Sequence, residues 1–167
     1  MRIAPVLPGF AAFVPLPAGN RPAIAADTGT PPPDGRAGGR AADRAVVVFR
    51  EDSRLPKLRR LKPGFRHCQA FLRLRQGWIG VDPLSHQLVL QAFPDWPWEA
   101  DPAGHLRRLG HCAITVPVLA APLRLAPPLP FSCVETVKRL VGLQSWTVRT
   151  PWELYLELRK ISLDNGL

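Results

Sequence analysis

The chain has 167 residues, of which 46% are hydrophobic and 21% charged, with 20 prolines, three cysteines and a formal net charge of +9. Near-average hydrophobic content over a length within the range of about 100–200 residues typical of one domain supplies enough apolar material for a single core. An odd cysteine count argues against a disulfide framework, and no apolar run nears the roughly 18 residues of a spanning helix, so disulfide-stapled and helical membrane classes are excluded.

Residues 1–42 are rich in Pro, Gly and Ala around "TGTPPPDGRAGG" and have neither a strand nor a helix period. They read as a disordered arm ahead of one domain over 43–167. The opening "MRIAPVLPGFAAFVPLPAGNRPAIAAD" has the apolar stretch of an export signal. Prolines interrupt it, and its basic region is the single Arg2, so the expectation is a cytoplasmic, thiol-reducing location.

"AVVVF" (45–49) is a strand, and "REDSRLPKLRRLKPGF" is a loop or brief helical turn. "HCQAFLRLR" (67–75) and "WIGVD" (78–82) read as strands joined by a two-residue turn at Gln76-Gly77. "HQLVLQAF" (86–93) adds another strand. A short helix follows the Pro/Trp-rich turn, with Asp101 as N-cap, Pro102 at N1 and Gly110 at C′. "CAITVPVL" (112–119) is a strand and "AAPLRLAPPLP" an extended connector. "SCVE" (132–135) and "TPWE" (150–153) have the spacing of capping boxes, which predicts helices over 133–142 and 151–161. The sum is an α+β fold, an antiparallel sheet of about four to five strands packed on C-terminal helices.

The second-last helix carries the most pointed chemistry. Val134, Val137, Leu140 and Val141 form its apolar stripe, with Cys133 at the stripe's edge and Glu135, Lys138 and Arg139 directed away. Cys133 sits at N1, among backbone N–H groups without intrahelical partners, a setting that stabilises a thiolate. The plainer reading is a small hydrophobe in the core. His67 opens a strand whose alternation puts Cys68, Ala70, Leu72 and Leu74 on an apolar face and His67, Gln69, Phe71 and Arg73 on a more polar one. Cys68 is then a core cysteine, and His67 is a candidate base for Cys133. Asp82, ending the next strand, is the natural group to orient the imidazole. A strict Gln76-Gly77 turn sets Phe71 opposite Asp82 and His67 opposite His86, which leaves Asp82 roughly 13 Å out of register. A bulge would close that gap, and His86 or Ser85 is the fallback.

The order "KPGFRHC", "WIGVDP", "PFSCVETVKRLVG" and "TPWELY" resembles the circularly permuted, NlpC-type branch of the papain-like thiol hydrolases, across about residues 45–161. The resemblance implies a permuted papain-like fold with Cys133 as nucleophile, His67 as base and Asp82 as orienting acid. It also implies a peptide or amide substrate and no cofactor. It offers no match for an oxyanion-hole side chain, although the Cys133 N–H could supply one donor.

Two other readings compete. His67-Cys68, His111-Cys112 and Cys133 are metal-ligand types, but neighbours on a strand point to opposite faces and no C-x₂-C or H-x₃-H spacing occurs. The stretch from Ser53 to Val81 has no acid and holds Arg54, Lys57, Arg59, Arg60, Lys62, Arg66, Arg73 and Arg75. Such a field would attract an anionic partner such as nucleic acid, with Phe65 and Trp78 placed to stack on bases. The same residues also serve as a plain solvated face.

Overall fold

A computed structural model describes residues 42–51, 55–75, 77–97, 99–120 and 131–162. The arm expected over 1–42, except for Ala42, and the connector from 121 to 130 lie outside the described residues.

Five strands form one antiparallel sheet: β1 (Arg44–Arg50), β2 (His67–Leu74), β3 (Gly77–Pro83), β4 (Leu88–Phe93) and β5 (Cys112–Pro117), in the order β4-β3-β2-β1-β5. Three helices complete the fold: α1 (Pro102–Arg108), α2 (Cys133–Val141) and α3 (Pro151–Ile161). The architecture is α+β, as the element pattern implies. The basic stretch before β2 contains a single 3₁₀ turn, Pro56–Arg60.

β1 lies at the centre of the packing because its run of Ala45, Val46, Val47, Val48 and Phe49 is buried on both faces. One parity of the sheet (Ala45, Val47, Phe49, Cys68, Ala70, Ile114, Val116) packs against Val134, Val137 and Val141 of α2 and Leu154 and Leu158 of α3. Pro117, which cannot donate to a ladder, closes the edge strand β5.

The opposite sheet face is not polar, as strand alternation suggested. His67, Gln69 and Phe71 are all buried. α1 packs along β1 and β5 and brings in its own buried Ala103 and Leu106, while Trp96 stacks on Phe71 with centroids 5.6 Å apart. Segments distant in sequence, α1 over β1 and β5 and Trp96 over Phe71, therefore cover much of this face.

Both C-terminal helices start where their caps predict, but the caps differ. At α3 the Thr150 hydroxyl accepts from the Glu153 N–H and Glu153 accepts from the Thr150 N–H, a closed capping box. At α2 the Ser132 hydroxyl accepts from the Glu135 N–H at 3.2 Å, but the Glu135 carboxylate turns to Lys138 instead. Neither residue points to solvent: Glu135 and Lys138 are both buried, correcting the helical-wheel expectation. Residues 143–148 fold back over the end of α2, and the Lys138 ammonium donates to the carbonyls of Ser145 at 2.6 Å and Val148 at 3.1 Å.

α2 ends at Gly142, which has φ +73°, a left-handed C-cap open to glycine and strained for other residues. A Cβ there would also run into the backbone carbonyl of Leu119. Gly142→Ala is therefore expected to destabilise the fold by more than about 2 kcal/mol, read as a lower urea midpoint at unchanged m-value. A midpoint equal to the parent's would show that the α2–Leu119 approach is slack.

Candidate active site

The hairpin register decides whether Asp82 can reach His67. Leu74 pairs with Gly77, Phe71 with Gly80 and Ala70 with Val81. Relative to a Gln76-Gly77 turn the strands are shifted by two residues, so Phe71 faces Gly80 rather than Asp82. One further step of this register sets Asp82 against Gln69, on the same face as His67 and only two residues away. Diagonal neighbours of that kind lie within reach of long side chains, so no bulge is needed. Gly77 is the first paired residue of β3 rather than part of the turn. Its φ is +120°, and a Cβ would lie 2.7 Å from the Phe93 carbonyl oxygen. Gly77 thus serves a close approach of β3 to the end of β4.

His67 Nε2 and Asp82 Oδ1 are 2.6 Å apart, with both side chains buried. The other carboxylate oxygen, Oδ2, accepts from the Arg50 guanidinium at 2.9 Å. Arg50 is the strand partner of His67 across β1 and β2, so the ends of three adjacent strands converge on one carboxylate. Nothing in the local sequence singles out Arg50, because its role exists only through cross-strand pairing. Ser85 and His86, the alternative orienting groups, are exposed at the rim of the cavity described below.

With Nε2 committed to Asp82, Nδ1 is the ring nitrogen left for the Cys133 sulfur, which lines the same cavity and lies close enough for each group to shift the other's titration. Burial alone would pull the His67 pKa down. The hydrogen bonds to Asp82 and Cys133 and the charges of both groups outweigh it and raise the pKa to about 9. The Cys133 pKa moves the other way, well below that of an ordinary thiol. A hydrogen bond from the Cys68 thiol is the largest cause; against the opposing effect of burial, His67 and the Cys68 backbone N–H reinforce it. The arrangement favours a thiolate–imidazolium pair.

Cys68 is fully buried in the core under α2, as its strand position predicts, but it also touches Cys133. Burial pushes its own thiol well above the usual range, so it serves as a donor to the Cys133 sulfur. Burial raises the Cys112 thiol too. Cys112 and Cys68 both pair with Phe49, from β5 and β2 on either side of β1, so they are two strand spacings, roughly 9–10 Å, apart. No group of three or more His, Cys, Asp or Glu side chains is arranged to hold a metal ion among the described residues.

A cavity of about 360 Å³ opens onto the sulfur and is lined by Leu55, Leu58, Pro83, Leu84 and Phe131 together with Arg66, His67 and Cys133. Its walls are mainly apolar, and it gives Cys133 access to small molecules. The basic stretch beside it is partly neutralised: Arg66 pairs with Glu51, Arg73 pairs with Asp43, and the Lys62 ammonium sits 2.9 Å over the Trp152 ring.

No family model, curated protein or solved structure matches the chain. Among the described residues, no helix is long and apolar enough to cross a membrane.

Proposed function

We propose that the protein is a cysteine-dependent hydrolase of amide or peptide bonds, with Cys133 as nucleophile, His67 as general base and acid, and Asp82 as orienting carboxylate. The observation that carries this reading is the meeting of a helix-N1 thiol with a buried imidazole whose far nitrogen is fixed by a carboxylate. A core cysteine needs none of these partners, whereas a base and the third group that orients it are what activate a nucleophile. The thiolate attacks a carbonyl carbon, and the Cys133 N–H, unpaired within its helix, can donate to the oxyanion. The imidazolium then gives its proton to the leaving amine, and water hydrolyses the thioester with His67 acting as base. The order of strand histidine before helix cysteine supports a permuted papain-like relationship, and the chemistry calls for no cofactor.

A cytoplasmic setting agrees with a free, low-pKa thiol. The second reading, an anionic partner such as nucleic acid at 54–75, rests on charge alone, since Trp78 is buried and Phe65 packs against Trp152 and Tyr155, and two of those arginines have acidic partners of their own.

Thiol labelling tests the proposal without a known substrate. An ordinary thiol loses reactivity about a hundredfold between pH 8 and pH 6, following its thiolate fraction. Cys133 is expected to hold a nearly level iodoacetamide rate over that interval, while Cys68 stays unlabelled in the folded chain and Cys112 labels slowly with a steep fall towards pH 6. Hydrolysis, once a substrate is found, should plateau across the same range and fall as pH rises through about 9, where His67 loses the proton it must deliver. Labelling of Cys133 that is no faster at pH 6 than that of Cys68 and Cys112 would remove the basis for an activated nucleophile.

A further inference from the structure

Hydrolysis makes no use of a second sulfur, yet Cys68 lies against the nucleophile. It is wholly buried, it belongs to the core cluster against which Cys133 packs, and the two thiols lie close enough to shift each other's titration. Cys133, by contrast, lines the open cavity, where a small oxidant can reach it. The third cysteine is excluded by position, because β1 separates Cys112 from Cys68. One sulfur at the wall of a cavity and one hidden in the core beside it are the parts of a peroxidatic and resolving pair.

The geometry points to a modification site: peroxide oxidises Cys133, and Cys68 captures the product as an intramolecular Cys68–Cys133 disulfide that switches the thiol off reversibly. In the first step the Cys133 thiolate attacks one oxygen of hydrogen peroxide. The O–O bond breaks, hydroxide leaves and takes up a proton, and Cys133 becomes a sulfenic acid. In the second step the Cys68 sulfur attacks the Cys133 sulfur and the S–O bond breaks. The Cys68 proton leaves with the departing oxygen as water. Peroxide is thereby reduced to two waters, and two thiols are oxidised to one disulfide. Reversal requires an external dithiol. The burial that raises the Cys68 thiol keeps it from oxidation on its own, so Cys68 reacts only with what forms on Cys133. The inference shares with the proposed function only the nucleophilic Cys133 thiolate, not the identity of the bond cleaved.

The test uses the full chain, reduced and then exposed to a few equivalents of hydrogen peroxide, followed by intact mass and non-reducing peptide mapping. The expected product is about 2 Da lighter than the reduced chain, links the Cys68 and Cys133 peptides, and recovers its iodoacetamide reactivity with dithiothreitol. Cys112→Ser should behave like the parent. Cys68→Ser, with Cys68→Ala as the second variant should the serine fail to fold, should give a dimedone-trappable sulfenic acid and then an irreversible gain of about 32 Da on Cys133. The proposal is overturned if the parent chain goes to that same gain as fast as the Cys68 variants, or if the bridge forms to Cys112. The pH-independent alkylation of reduced Cys133 is measured in parallel. A level alkylation profile without a bridge removes only the resolving role of Cys68, whereas a bridge with ordinary alkylation removes only the hydrolase reading.

Discussion

Replacing Asp82 with alanine is expected to cost about 3–5 kcal/mol of stability, the usual consequence of removing one member of a buried charge cluster. The carboxylate is fully buried and holds two cationic groups, the Arg50 guanidinium on Oδ2 and the His67 ring on Oδ1. Without it, His67 keeps its burial and loses the strongest influence that raises its pKa. Asp82→Asn separates structure from electrostatics. The amide fills the same space and can still accept one hydrogen bond, so the fold should lose only about 1–3 kcal/mol. The imidazolium, however, loses its counter-charge, and the thiolate loses the imidazolium in turn. Alkylation of Cys133 at pH 6 should therefore drop at least about tenfold, since each pKa unit is a factor of ten in thiolate fraction below the pKa. Denaturant midpoints and iodoacetamide rates on the two variants check both halves. A folded Asp82→Asn chain with the parent's alkylation rate would remove Asp82 from any role in the chemistry.

The second large effect lies away from the sulfur. Lys138 is buried, and its ammonium holds Glu135 and the carbonyls of Ser145 and Val148 at once. Lys138→Ala leaves a buried carboxylate without its counter-ion and two carbonyls without that donor, and should destabilise by about 3–5 kcal/mol. Replacing the pair together, as Glu135→Met with Lys138→Met, removes the charge imbalance and restores apolar packing, so a substantial part of that loss should return. Urea unfolding of the single and double variants makes the comparison. A double variant no more stable than Lys138→Ala would show that the two carbonyls, not the ion pair, dominate.

Much of the fold could be read from local chemistry. Pro and Ser/Thr caps placed the starts of α1, α2 and α3, and the β-branched run of Val46, Val47 and Val48 marked the strand β1. These signals act within a few residues and do not depend on tertiary context. What failed depended on elements distant in sequence. Gly77 looked like a turn residue because glycine tolerates unusual φ, but it is required by the Phe93 carbonyl, sixteen positions later. The resulting two-residue error left Asp82 out of reach. Glu135 and Lys138 looked solvated because a helical wheel knows only its own helix, not the 143–148 segment that folds over it. His67 and Gln69 looked half-exposed because alternation along β2 does not show what distant segments lay over that face. Of the candidate site, Cys133 at a helix start and His67 at a strand start were legible, while Arg50 and the contact of Cys68 with Cys133 exist only across strands and layers.

The site draws its parts from both ends of the folded segment, and this has a temporal consequence. His67, Asp82 and Arg50 belong to three neighbouring strands, whereas Cys133 arrives only when α2 settles onto the sheet. Before that event its sulfur has neither the imidazole nor the Cys68 donor, and it behaves as an ordinary thiol. The lowered pKa of Cys133 therefore depends on the finished layer packing, and a chain in which α2 has not docked lacks the groups that lower it. Under the proposed function, thiol reactivity would report on the docking of one helix.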